Sequence, residues 1–165
     1  METAKKLVEY LIAHNMSIAT AESCTGGMVS QLITSISGAS AIFGYGLCTY
    51  ANEAKMKLLG VKRKTLDEYG AVSAQTAEEM ALGLKALSGA DIAVSVTGIA
   101  GPLGGTPEKP VGTVWLGCAA GSKVTSIFLS HDATMNRRQI RESSAERALL
   151  FALENAQELY KEGET

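Results

Sequence analysis

Thr20-Ala21-Glu22-Ser23-Cys24-Thr25-Gly26-Gly27 decides how this chain is read. A short apolar run, Ser17 to Ala21, leads into it and an amphipathic run, Met28 to Ile36, follows, so the octet reads as a strand–turn–helix junction. Nucleophilic side chains and two glycines gather where a helix begins. The first turn of a helix carries unpaired N–H groups and a partial positive charge, which attract anions and developing oxyanions. Glycine lets a substrate come close to that backbone. A Ser or Thr at such a junction is more often only an N-cap, so the octet needs support from the rest of the chain.

Working outward, Ala4, Leu7, Val8, Leu11 and Ile12 recur at helical spacing and predict a first helix ending near His14-Asn15. Ser17 to Ala21 is the first strand. A second helix is expected from Thr25 to Ser35, and Phe43 to Ala51 reads as a strand interrupted by Gly44 and Gly46. Asn52 is a plausible N-cap for a short helix over Glu53 to Leu59, stopped by Gly60. Thr76 to Leu87 is another amphipathic helix. Ile92 to Val96 is the near-continuous apolar run of a strand buried on both faces.

Thr97 to Pro110, rich in glycine and proline, predicts a long loop of the kind that usually serves function. Two strands, Val111 to Ala119 and Val124 to Leu129, turn at Ala120-Gly121-Ser122. A closing helix is expected from Arg137 to Tyr160 with a stripe of Ala145, Ala148, Ala152 and Ala156. Helices alternating with strands, then a late hairpin, predict an α/β chain folded as a three-layer α/β/α sandwich on a mixed β-sheet. No linker divides it, so residues 1–165 are expected to form a single domain. Ligands of such folds lie beyond the C-terminal ends of the parallel strands, where the octet and the 97–110 loop meet.

Composition narrows the function. With 165 residues, 46% apolar and 19% charged, the chain can bury a core without staples. A net charge of −2 argues against a nucleic-acid partner held by phosphate neutralisation. Cys24, Cys48 and Cys118 form no CxxC or Cys/His cluster and only His14 and His131 accompany them, so no metal is expected. Free thiols, a charged amphipathic N-terminus and no stretch of membrane-spanning length predict a cytoplasmic protein with no membrane partner.

Two further segments carry chemistry. In Thr49-Tyr50-Ala51-Asn52-Glu53-Ala54-Lys55, Tyr50 closes a strand and Lys55 falls in the first turn of the next helix. The helix dipole and any burial depress the pKa of such a lysine, and it can then act as a base towards serine. Thr97-Gly98-Ile99-Ala100-Gly101-Pro102-Leu103-Gly104-Gly105-Thr106 is neither a Walker A loop nor a GxGxxG fingerprint, yet its N–H groups can meet a phosphate or carboxylate. Cys24 competes with Ser23 as nucleophile, since a thiol near a helix N-terminus is expected to have a lowered pKa.

Together AESCTGG, TYxNExK, Gly70-Ala71-Val72-Ser73, TGIAGPxGG and KPVGTVW closely resemble, in order, the C-terminal domain of the CinA (competence/damage-inducible) proteins. Stand-alone members of that family are nicotinamide-nucleotide amidases of the PncC type. The resemblance runs from about residue 3 to 158. It implies hydrolysis of the carboxamide of nicotinamide mononucleotide, without cofactor, by Ser23, Tyr50 and Lys55. Thr25, Gly26 and Gly27 would then line the oxyanion site, and Gly101, Gly104, Gly105, Lys109 and Arg137 would hold the substrate. Where the family usually has Gly-Asp-Arg before its last helix, this chain has Met135-Asn136-Arg137. That departure motivates an alternative, a member that binds a pyridine nucleotide or a protein partner without turnover. A homodimer is the expected assembly.

Overall fold

Residues 2–163 are described by the computed structural model. Its centre is two strands that the sequence makes apolar along their length, β1 (Ile18–Glu22) and β3 (Ile92–Gly98), paired in parallel. β2 (Phe43–Cys48) adds in parallel to the free side of β1 and forms one edge. β4 (Thr113–Ala120) and β5 (Lys123–Ser130) follow antiparallel on the other side of β3, giving the order β2-β1-β3-β4-β5. The mixed sheet matches the expectation.

Helices cover both faces. α1 (Glu2–Ala13), α2 (Met28–Thr34) and α6 (Arg137–Gly163) pack together on one face around Leu7, Leu11, Ile33, Leu116 and Leu149. α3 (Asn52–Leu59), α4 (Arg63–Tyr69) and α5 (Ala74–Ser88) take the other, with Met80, Ala81 and Leu84 against Ala19, Ala21 and Ala93. The alanine stripe of α6 (Ala145, Ala148, Ala152, Ala156) is wholly buried in the first of these cores. It therefore packs the chain on itself and offers nothing to a second subunit.

The polar residues of the central strands are buried but partnered. Ser95 Oγ donates to the Ala77 carbonyl at 2.6 Å, Thr97 Oγ1 to the Ala71 carbonyl at 2.7 Å, and Thr20 Oγ1 meets Ser30 Oγ at 2.7 Å. Each bond ties a strand to the segment crossing it, which removes the cost of an unpaired buried hydroxyl.

Boundaries differ from the sequence reading in ways that matter for the site. α2 begins at Met28, not Thr25, because Gly26 (φ 60°) and Gly27 (φ 94°) take left-handed conformations that extend the turn. β2 stops at Cys48, leaving Thr49 and Tyr50 outside the regular ladder. Asn52 is the first helical residue of α3 and Ala51 occupies the cap position. α4 was not anticipated, since it has seven residues and buries only Thr65 and Leu66.

α5 lies so close to the sheet that a Cβ on Gly117 would stand 2.3 Å from the Ala77 carbonyl oxygen. Gly117→Ala is expected to lower stability by about 1–3 kcal/mol, the usual range for overpacking, read as a fall in the urea midpoint at unchanged slope.

Candidate active site

β1, β2 and β3 all end at the same edge of the sheet. The chain leaves β1 towards β2 on one side and returns as β3 on the other, so β1 is the point where the winding reverses. A crevice is expected beyond such a strand, and a cavity of about 260 Å³ lies there. Ser23, Tyr50, Lys55, Gly101, Gly104 and Arg137 line it.

Ser23 follows β1 directly and is fixed on both sides. Its N–H donates to the Val96 carbonyl at 2.9 Å, and the carbonyl of the preceding residue, Glu22, accepts from Thr49 N–H at 2.8 Å. The side chain of Glu22 is fully buried at the start of α2 and accepts four hydrogen bonds. They come from the N–H groups of Gly27 (3.0 Å), Val29 (3.0 Å) and Ser30 (2.9 Å) and from Ser30 Oγ (2.8 Å). A carboxylate there satisfies the orphan donors of the helix and matches its positive end.

This settles the turn and corrects the expected oxyanion donors. Gly27 N–H is held by Glu22, and Gly26 N–H donates to the Ser23 carbonyl at 3.1 Å. Arg141, one turn into α6, donates from Nε to the Cys24 carbonyl (3.0 Å) and from Nη2 to the Thr25 carbonyl (2.8 Å). In a trans peptide the C=O and N–H point opposite ways, so holding the Cys24 carbonyl on Arg141 aims Thr25 N–H away from α6. Cys24 N–H and Thr25 N–H are the turn donors with no acceptor among the described residues.

Lys55 is 1% exposed, and its ammonium group is surrounded by three acceptors. Nζ donates to the Thr49 carbonyl at 2.8 Å, the Tyr50 carbonyl at 3.2 Å and Ser23 Oγ at 3.2 Å. Burial holds its pKa below the ordinary lysine value of 10.5. When Nζ is neutral, its two protons satisfy the two carbonyls and its lone pair faces the serine hydroxyl. That is the geometry of a base poised on a nucleophile.

Tyr50 meets Lys55 through its backbone and not through its hydroxyl. Its carbonyl holds Lys55, whereas its hydroxyl accepts from Arg137 Nη2 at 3.3 Å and its side chain is largely exposed. Arg137 Nη1 donates to the Gly101 carbonyl at 2.7 Å, tying the 99–110 loop to Tyr50. Neither Arg137 nor Arg141 has a carboxylate partner among the described residues, unlike Arg138 with Glu142 and Arg147 with Glu154.

Two expected loop contacts lie elsewhere. Lys109 Nζ donates to the Tyr69 carbonyl at 2.6 Å, so it clips the loop to the end of α4 rather than facing the cavity. Gly105 lines a shallow groove on the far side of the loop. Cys24 borders the cavity but is 5% exposed, and burial pushes its thiol up to about 11, the reverse of the expected lowering. Desolvation outweighs the helix end here. Glu22 and Arg141 were missed as site residues; a carboxylate closing an otherwise apolar strand was the one signal available for Glu22.

Asn136 explains the departure before the last helix. Its Oδ1 accepts from Gln139 N–H at 3.1 Å, while Gln139 Oε1 accepts from Asn136 N–H at 2.9 Å. This reciprocal pair is a capping box for α6. Asn and Asp serve about equally as N-caps, so the change from the family's aspartate keeps this function.

A second cavity, of about 420 Å³, sits at the opposite end of the sheet beside Met16, Lys85, Asp91 and Leu159. It is larger, but its charges are spent: Lys85 Nζ donates to the Ala90 and Asp91 carbonyls, and Asp91 accepts from Ser17 N–H and Oγ. Among the described residues no group of three or more His, Cys, Asp or Glu could hold a metal ion, and no helix is long and apolar enough to cross a membrane.

Two expectations follow from these environments. Glu22→Gln puts an amide nitrogen against N–H donors and is expected to lose about 1–3 kcal/mol of stability, since a buried donor is left unsatisfied; thermal unfolding reads this. Iodoacetamide at neutral pH is expected to modify exposed Cys48 well before buried Cys24 or Cys118, as followed by peptide mass spectrometry.

Comparison with known proteins agrees with this architecture. The CinA C-terminal domain family matches residues 1–156. A CinA-like protein of Kosmotoga olearia is 49% identical over 150 residues, covering 90% of this chain and 34% of the relative. One of Thermotoga sp. (strain RQ2) is 45% identical over 155 residues, covering 94% and 36%. The chain thus spans about a third of the length of the curated relatives it matches. The crystal structure of the competence/damage inducible protein CihA from Agrobacterium tumefaciens superposes with a TM-score of 0.88 at 42% identity, covering 93% of this chain and 94% of that one. A CinA superfamily protein from Klebsiella pneumoniae gives 0.90 at 30% identity, with 95% and 97% covered. With the family model matched over residues 1–156 and the fold shared with those structures, the chain belongs to the CinA C-terminal domain family.

Proposed function

We propose that this chain is a serine amidase that hydrolyses the carboxamide of nicotinamide mononucleotide to nicotinate mononucleotide and ammonia. The observation that carries the reading is the buried Lys55 Nζ, oriented by two carbonyls onto Ser23 Oγ. Ser23 Oγ attacks the carboxamide carbon while Lys55 takes its proton. The N–H groups of Cys24 and Thr25 stabilise the oxyanion, each such donor being worth about 3 kcal/mol in the transition state. Lys55 returns the proton to the departing nitrogen, the C–N bond breaks and ammonia leaves. Water, deprotonated by Lys55, then attacks the acyl ester; the ester C–O bond breaks and Ser23 regains its proton.

The charge of the cavity supports this substrate class. Among the described residues no carboxylate lines it, and Arg137 stands at its rim without an acidic partner. An arginine so placed suits a phosphate. The Asn136 cap keeps the start of α6 intact despite the departure there, which is consistent with an active site in working order.

Ammonia release from nicotinamide mononucleotide tests the proposal. Ser23→Ala, Lys55→Ala and Lys55→Arg are each expected to lose about 100-fold or more in kcat/KM, the ordinary scale for a lost general base; arginine fails because it stays charged. For the wild type, kcat/KM should rise with pH as Lys55 gives up its proton, with a midpoint below 10.5. Arg137→Ala should raise KM for the mononucleotide about tenfold or more, and by clearly more than it raises KM for the riboside, which lacks the phosphate but shares the ring. A folded wild type that releases no ammonia would sink the amidase reading.

A further inference from the structure

Leu103 and Tyr50 are the two most exposed large apolar side chains among the described residues, at 85% and 62%, and both line the cavity beside Ser23. A single exposed apolar side chain means little, but two on the lining of one concave site supply the apolar and aromatic surface that small-molecule pockets usually carry. Neither is there for want of structure around it. The loop that carries Leu103 is bonded at its ends, where Ile99 N–H donates to the Thr113 carbonyl at 2.9 Å and Gly112 N–H to the Ile99 carbonyl at 2.8 Å. Its far turn is closed by Thr106 N–H on the Lys109 carbonyl at 2.9 Å and by Lys109 N–H on Thr106 Oγ1 at 3.1 Å. Lys109 Nζ then ties that turn to Tyr69.

One guanidinium sets the two apolar groups relative to each other. Arg137 Nη1 holds the Gly101 carbonyl, two residues before Leu103, and Nη2 holds the Tyr50 hydroxyl. The guanidinium is planar and rigid, so the loop and the β2–α3 junction are linked through a single fixed spacer. Fixing both walls beforehand removes the ordering cost that a loose loop would charge on binding.

We infer that Leu103 and Tyr50 form an apolar clamp that grips the flat heterocycle of the substrate, and that Leu103 is the specificity-determining residue for a planar ring. The clamp rests on the amidase reading and deepens it. The ring lies between the two side chains, its carboxamide directed to Ser23 and its sugar phosphate towards Arg137. A flat, electron-poor pyridinium also suits the face of a tyrosine ring. Leu103 touches the ring and not the reacting atoms, so it governs binding rather than the chemical step.

Because Leu103 is almost fully exposed, replacing it leaves the core untouched and the test does not depend on folding. Leu103→Asp and Leu103→Ile are compared with wild type, by ammonia release from nicotinamide mononucleotide and by equilibrium dialysis of the same nucleotide. Leu103→Asp is expected to raise both KM and Kd about tenfold or more, the scale of a lost leucine contact, with kcat within about twofold. Leu103→Ile should stay close to wild type. Active wild type with KM and Kd unchanged in Leu103→Asp would overturn the clamp and leave the amidase standing. Wild type without turnover but with tenfold weaker binding in Leu103→Asp would sink the amidase and keep the clamp. Absence of both turnover and binding in the wild type would overturn both. A change in sedimentation of Leu103→Asp with unchanged Kd would assign the residue to contact between copies and overturn the clamp as well.

Discussion

The active end of this fold depends on burying one lysine. Lys55 is the largest side chain excluded from water, and an ammonium group there is costly unless every proton has an acceptor. The acceptors are available only because β2 stops early. Thr49 N–H makes the last bond to β1, at the Glu22 carbonyl, and the carbonyls of Thr49 and Tyr50 then leave the ladder and turn to Nζ. α3 must begin at once for Lys55 to reach back over them, and it does so at Asn52. A longer strand would put those carbonyls into sheet pairing; a longer loop would carry the lysine away.

Two charges that never meet the lysine keep its partner in place. Glu22 gathers the donors of the extended turn, so Ser23 emerges from β1 with its backbone settled on both sides. Arg141 takes the two carbonyls that follow. Arg137, four residues earlier on α6, ties the ends of β2 and β3 together through Tyr50 and Gly101. Residues four apart share a helix face, so one helix from the far end of the chain fastens three strand ends. Its own start is fixed by the Asn136–Gln139 cap.

What the sequence disclosed follows from how local each signal was. The apolar runs of β1 and β3, the hairpin of β4 and β5 and the stripe of α6 are properties of contiguous residues, and their types were readable. So were Ser23 and Lys55, because each lies next to a strand or helix end. Glu22 was less legible, since its acceptor role appears only once Gly26 and Gly27 adopt positive φ and bring α2 round to it. Arg141 could not be found this way: its partners lie more than a hundred residues away. Lys109 and Gly105 failed for a related reason. Composition identifies a loop that can bind a ligand, but only the three-dimensional path decides which of its sides faces the cavity.

Lys55 and Cys24 differ in what burial does to them, and under the proposed amidase reading that difference favours Ser23 as the nucleophile. Both groups lose water in the same place, and desolvation favours the neutral form of each. For the lysine, neutrality exposes a lone pair, which is what a base towards Ser23 requires. For the cysteine, neutrality removes the thiolate, the only form that attacks. Among the described residues no carboxylate lines the cavity to hold Lys55 in its ammonium form. In the proposed amidase a single environmental term would therefore arm the serine through its base and leave the thiol beside it inert, although thiols are intrinsically the better nucleophiles. Exposing Lys55 to water would return it towards its charged form and take away that lone pair, so under the proposed reading its burial is itself part of the chemistry.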